Sequence, residues 1–278
     1  MTYGLAAVTY LLLSFVLCWV GKLVFGVFHP AARVDREVTA RDHVAFAIPL
    51  GAYYLGILIV MGAPLSGQPR GDLLREAISV AGWGVLAVVL LNVASIANRW
   101  ILFGGLDVGH EIGRGNVAAG MVAAGSHIAN ALLVLGALAD EGGLLAAAVF
   151  WGYAQALLLG AAAVFLRLVR YDLVTEIRRG NQAVALGLAG VLVAIGNILR
   201  MSISGPFEGW SAGFAAATGY ALAGLVLLFV VRQLTDWLLL PGVTIRQEVL
   251  EQDVPNVGVG YLEALFYLGA SLLIGWSL

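Results

Sequence analysis

Leu106-Asp107-Val108-Gly109-His110-Glu111-Ile112-Gly113-Arg114-Gly115-Asn116 opens into a long apolar run, and its pattern returns at Glu176-Ile177-Arg178-Arg179-Gly180-Asn181. In both, a Glu followed by Ile stands five positions ahead of an Asn. Weaker copies stand at Glu37-Val38…Asp42 and Glu248-Val249…Asp253, with Asp at the fifth position. An Asn or Asp just before an apolar run is a helix N-cap, because its side-chain oxygen accepts an N–H that the first turn leaves unpaired. Asp42, Asn116, Asn181 and Asp253 are therefore read as the caps of four helices. Glu37, Glu111, Glu176 and Glu248 then lie near the positive helix ends, where a carboxylate is favoured. Arg114 and Arg179 follow Glu111 and Glu176 by three residues, within reach of local ion pairs.

The runs that these loops connect decide the broad class. Of 278 residues, 61% are hydrophobic and 12% charged, and the mean hydropathy is +0.93. A soluble globule carries about 25% charged residues, so the expected partner is the lipid bilayer. A net charge of −2 leaves no basic field for nucleic acid. The single cysteine, Cys18, excludes a disulfide framework.

Eight segments reach the length a bilayer crossing requires, about 20 residues: 3–28, 43–61, 73–103, 116–139, 144–171, 181–204, 210–240 and 254–276. Breaks follow from His29-Pro30, from the turn over 62–69, from Asp140-Glu141-Gly142-Gly143, and from Pro206 and Pro241. The first segment lacks a basic start and is too long for a signal peptide, so it reads as a span.

Paired in order, these segments give an all-α, single-domain membrane protein of four two-helix repeats, 3–61, 73–139, 144–204 and 210–276. Because each repeat is a hairpin, successive copies enter the membrane in the same direction, and such parallel repeats are related by an axis along the membrane normal. A pseudo-fourfold arrangement is the simplest expectation. Gly51, Gly125 and Gly190 each lie nine residues after Asp42, Asn116 and Asn181, and small residues there suit close helix contact. Twelve basic residues flank the Glu-containing loops: Lys22, Arg33, Arg36, Arg41, Arg99, Arg114, Arg167, Arg170, Arg178, Arg179, Arg232 and Arg246. Only Arg70, Arg75 and Arg200 lie at the other end. The positive-inside rule puts the Glu loops in the cytoplasm, with both termini outside.

The Glu-Ile-x-x-Gly-Asn start, followed by Ala119-Gly120…Ala124-Gly125 or by Gly187…Ala189-Gly190, resembles the bacterial membrane family called domain of unknown function 350. The resemblance implies helical-hairpin units, here four covering nearly the whole chain, and a membrane compartment. It implies no activity. The first and last copies depart from it, with Arg41-Asp42 and Gln252-Asp253 in place of Gly-Asn.

Helix capping accounts for the four Glu residues structurally. The sharper reading makes Glu37, Glu111, Glu176 and Glu248 a carboxylate ring at the cytoplasmic mouth of a path, as in cation-selective pores. Deeper polar residues prompt more, since ionisable groups at bilayer depth are costly and face protein or a water path. His127 and Asn130 fall within the fourth segment and Glu263 within the last, and the three are read as lining one path. Asn92, Gln155 and Asn197 read as amides bonding between helices. Glu263 is ten residues after Asp253, where the other copies have Ala52, Ser126 and Val191, so it breaks the repeat.

Enzyme signatures fail. His110-Glu111 lacks the second His of a zinc protease motif, since position 114 is Arg. Ser126 and His127 are adjacent on a helix and point apart. Gly113-x-Gly115 has neither a preceding strand nor a following Lys-Ser/Thr. No metal site, cofactor or catalysis is expected. Two classes remain: a channel or transporter for a small cation, proton or small solute, and a scaffold that recruits a peripheral cytoplasmic protein through its Glu-Arg loops.

Overall fold

A computed structural model describes residues 2–28, 37–38, 42–65, 73–101, 105–139, 142–169, 171–205, 209–239 and 242–277, which are helical with no strand among them. In chain order the helices are α1 (Thr2–Phe28), α2 (Val44–Val60), α3 (Gly62–Leu65), α4 (Leu73–Ile101), α5 (Val108–Gly113) and α6 (Val117–Leu138). Then come α7 (Gly143–Leu168), α8 (Leu173–Arg178), α9 (Gln182–Ile203), α10 (Trp210–Leu239), α11 (Ile245–Leu250) and α12 (Val257–Ser277). The breaks expected at Pro30, Gly67–Pro69, Asp140-Glu141, Pro206 and Pro241 lie outside the described residues, as do Arg33, Arg36, Arg41, Arg70 and Arg170.

Among the described residues seven helices, α1, α4, α6, α7, α9, α10 and α12, are long and apolar enough to cross a membrane. The eighth expected span, α2, is apolar but only 17 residues long. After a turn at Met61 the chain is helical again over Gly62–Leu65, where a non-helical turn was expected. The fifth segment stops at Leu168, and α8 is a separate helix. Large apolar side chains stay exposed along the outer helices, among them Phe15, Trp19, Leu74, Leu145 and Val226. Such a surface has lipid as its solvent. This is a multi-pass membrane protein.

The helices form two layers. In one, α2 packs on α6, α6 on α9 and α9 on α12. In the other, α1 packs on α2 and α4, α4 on α6, α7 on α6 and α9, and α10 on α9 and α12. Each hairpin gives one helix to each layer, and α9, flanked on both sides and backed by two outer helices, is the most enclosed. The inner row ends at α2 and α12, which are not packed together among the described residues.

The inner contacts are close enough that only glycine fits. A Cβ on Gly125 would stand 2.6 Å from the Ala189 Cα, and one on Gly190 would stand 2.5 Å from the Ala264 Cα. Gly196 sits equally close on Ala129, Gly260 on Ala183, and Gly120 against the carbonyl of Ala45. With no hydrophobic force between helices in lipid, such backbone approach is what holds them together. Gly51 corrects the expectation for the first copy: it is exposed, and a Cβ there would meet nothing within 4 Å.

Candidate functional site

Each described Glu loop carries a short helix, and the caps of these helices are residues the sequence reading missed. Asp107 accepts from the His110 N–H at 3.0 Å to start α5, and Asp172 accepts from the Thr175 N–H at 3.1 Å to start α8. Thr244 and Gln247 cap α11 reciprocally, and Thr-x-x-Gln was the one readable signal. The Thr175 hydroxyl also donates to Asp172 at 2.6 Å and holds that carboxyl below its usual range.

The Asn at the end of the second and of the third loop makes three connections. Asn116 Oδ1 accepts from the Ala119 N–H to cap α6, and its Nδ2 donates to Glu111 Oε2 at 2.9 Å and to the Ile177 carbonyl at 2.8 Å. Asn181 does the same one repeat on: it caps α9, and it donates to Glu176 Oε2 at 3.0 Å and to the Val249 carbonyl at 2.8 Å. The Glu aims the amide, and the amide reaches the residue after the Glu of the next repeat. The motif is thus a tie between successive hairpins. Arg178 adds a second tie by donating to the Gly105 carbonyl. The expected ion pairs are present, Arg179–Glu176 at 2.9 Å and Arg114–Glu111 at 3.8 Å.

Two of the four caps need correction. The helix α12 starts at Val257, and Asn256 caps it: Asn256 Oδ1 accepts from the Val259 N–H and Nδ2 donates to Glu248 Oε2 at 2.9 Å. Its backbone N–H donates to the Glu248 carbonyl at 2.9 Å, as Asn116 and Asn181 do to Glu111 and Glu176. Asp253 is an exposed residue in the bend before it; the last loop carries three extra residues. In the first copy the N-cap position is His43, whose N–H donates to the Glu37 carbonyl at 3.1 Å and whose Nδ1 lies 3.9 Å from Glu37 Oε2. Asp42 instead has φ +48, standing where Gly115 and Gly180 have φ +88 and +83. That left-handed conformation is one that Asp tolerates better than most side chains.

With Asn256 as its reference, Glu263 falls seven residues after its cap, level with Leu50, Ala123 and Leu188. At 1.5 Å per residue it lies about 10 Å along the helix. It is buried. Its Oε1 accepts from the Tyr267 hydroxyl at 3.1 Å, and its Oε2 would be 2.5 Å from a Cβ on Gly187 of α9. Gly187 therefore makes the room in which the carboxylate sits. Near the loop surface, burial first and then the Glu263 charge push the Tyr171 phenol above its ordinary range.

His127 and Asn130 belong to a different neighbourhood, and the structure does not bring them to Glu263: α9 stands between α6 and α12. The Ser95 hydroxyl donates to the Leu91 carbonyl, leaving its oxygen to accept from His127 Nδ1 at 3.2 Å. Tyr53 packs edge-on against His127 with ring centroids 5.7 Å apart, and its hydroxyl accepts from Asn92 Nδ2 at 2.8 Å. Asn98, another residue the sequence reading missed, donates to Ser126 and Asn130 and accepts from Gln155. Ser126 and His127 do point apart, to Asn98 and to Ser95. Asn197 donates to the Ser271 carbonyl at 3.1 Å, an interhelical amide bond as expected.

The profile of the family described as Domain of Unknown Function (DUF350) matches twice, over residues 1–138 and 140–278. The chain belongs to this family. Each DUF350 copy takes in two hairpins, so the family unit is twice the hairpin that the sequence motif suggested, and the chain holds two units. A UPF0719 transmembrane protein of Aquifex aeolicus (strain VF5) is 23% identical over 99 residues, which cover 36% of this chain and 37% of that protein. No solved structure matches. Along this DUF350 chain, His127 and Asn130 fall in the first copy and Glu263 in the second. The α6–α9 packing is the junction between the two.

Proposed function

We propose that this protein provides a passage across the membrane for a proton, a small cation or a small polar solute, with Glu263 as its ionisable site. The accommodation of Glu263 carries the reading: a buried carboxylate in an apolar helix, given room by Gly187 and a hydroxyl by Tyr267. Ionisable groups at such positions are costly and serve a path or a relay. His127 and Asn130 form a separate polar station in the first copy.

The strong asymmetry in basic residues supports a cytoplasmic Glu-loop end in a bacterial inner membrane, with both termini outside. Eight crossings in four parallel hairpins go with this. The stretch 44–65, α2 with α3, matches the 22 residues of α6 and of α9. No catalytic step belongs to the proposal. Nor do the Glu residues form an open ring of acceptors, because Glu111, Glu176 and Glu248 each hold the Asn of their own loop.

A second reading has its own observation. The Arg114 and Arg179 side chains are 68% and 71% exposed while their carboxylate partners are 11% and 19% exposed, so the loops turn positive charge outward. That surface suits an acidic patch on a peripheral protein. Purified protein in protein-only liposomes decides between the two. Flux of protons, Na+, K+ or a small neutral solute above that of empty liposomes supports passage. No flux of any of them, with saturable binding of a soluble partner, supports the scaffold.

A further inference from the structure

Between α4, α6 and α7 four polar side chains are packed away from both lipid and water: Asn98 (1% exposed), Ser126 (5%), Asn130 (0%) and Gln155 (6%). Asn98 Nδ2 donates to Ser126 Oγ at 2.7 Å and to Asn130 Oδ1 at 3.0 Å, and Asn98 Oδ1 accepts from Gln155 Nε2 at 2.7 Å. Among the described residues, the buried atoms Asn130 Nδ2, Gln155 Oε1 and Trp151 Nε1 have no partner. Asn130 and Gln155 are bonded to the same Asn98 amide, and Trp151 precedes Gln155 by one turn of α7. The open atoms of Asn130 and Gln155 therefore flank one amide, and Trp151 lies on the same face of α7 as Gln155.

Rotating the amides does not remove them. Turning Asn130 or Gln155 alone sets like atoms together at Asn98. Turning all three amides restores the chain but leaves Asn130 Oδ1 and Gln155 Nε2 open, again one acceptor and one donor. Buried polar atoms in native proteins are almost always satisfied, by ordered water where protein does not reach. The open set is two N–H donors and one carbonyl oxygen. The N–H groups repel a cation, the oxygen repels an anion, and every member of the cluster is neutral.

We propose that this cluster binds one water molecule, or a neutral solute of its size, which accepts from Asn130 Nδ2 and Trp151 Nε1 and donates to Gln155 Oε1. The site joins α4 and α6 of the first DUF350 copy to α7 of the second, so it is a polar seam between the two. It does not depend on anything being transported.

Water-edited solid-state NMR of the full-length protein in lipid bilayers tests it, with 15N-labelled Trp and Asn. The expected result is early magnetisation transfer from water to the Trp151 indole N–H and the Asn130 side-chain amide. The Asn197 amide, which is bonded to Ser271, should show none. Transfer at Trp151 and Asn130 no greater than at Asn197 overturns the proposal. In Gln155→Leu the transfer at both should fall to the Asn197 level, and transfer persisting unchanged there also overturns it. The wild-type measurement stands alone if that variant does not fold.

Discussion

Replacing Gly125 by Ala tests the packing of the inner row with a single methyl group. The added Cβ would stand 2.6 Å from the Ala189 Cα, 2.7 Å from its Cβ and 2.9 Å from its carbonyl oxygen. Carbon atoms rest at about 3.5–4.0 Å, so α6 and α9 must part by about 1 Å. Two of the three atoms are backbone, and no rotamer change relieves them. Overpacking of this kind costs about 1–3 kcal/mol, and it is opposed by about 1 kcal/mol from the better helix propensity of Ala. Gly51→Ala isolates the second term, since nothing lies within 4 Å of a Cβ there. The difference between the two variants is then the packing cost alone, several degrees of melting temperature at roughly 2–4 °C per kcal/mol. Differential scanning fluorimetry in detergent reads it. Adding Ala189→Gly should restore only part of the loss, because the Cα and oxygen contacts remain. Equal melting temperatures for Gly125→Ala and Gly51→Ala would falsify the row as described.

The loop ties predict an order: Asn116→Ala and Asn181→Ala should each cost more than the roughly 1 kcal/mol of a lost cap, because the Ile177 or Val249 carbonyl loses its donor. Asn256→Ala, whose amide ends at Glu248, should cost about a cap alone, and equal losses for all three in denaturant titration would refute the tie. The lowered Asp172 carboxyl favours the folded state above its unfolded value, and that contribution is lost as pH falls through the folded one. Thr175→Val should raise the Asp172 titration toward its ordinary range by carboxyl NMR, and an unmoved midpoint would show that the hydroxyl is not the cause. In a Cys18→Ala background, cysteine at Gly205 should react with an impermeant thiol reagent on intact cells and cysteine at Gly109 should not; the opposite labelling reverses the proposed orientation.

What the sequence disclosed follows from what each signal encodes. The second and third loops were legible because Glu111…Asn116 and Glu176…Asn181 keep both spacing and residue type, and Gly125 and Gly190 sit where the repeat sets them. The fourth loop misled because Asp253 falls at the motif spacing by coincidence, while the residue that bonds Glu248 lies three positions on. His43 was passed over because Asp42 before it falls at the motif spacing, and a positive φ leaves no trace in a pattern of polar and apolar residues. The two-layer order was hidden for a different reason: helices apolar all round carry no moment that says which neighbour each face meets. That same silence led Glu263 and His127 to be assigned to one path, when α9 separates them.

The central proposal is that Glu263 serves a passage rather than the fold, and Glu263→Gln separates these roles. Glutamine keeps the shape and can still accept from Tyr267 while losing the charge. The decisive measurement is proton and cation flux into protein-only liposomes carrying wild type or Glu263→Gln at matched melting temperature. The account predicts flux abolished or strongly reduced in the variant, and flux equal to wild type would contradict it.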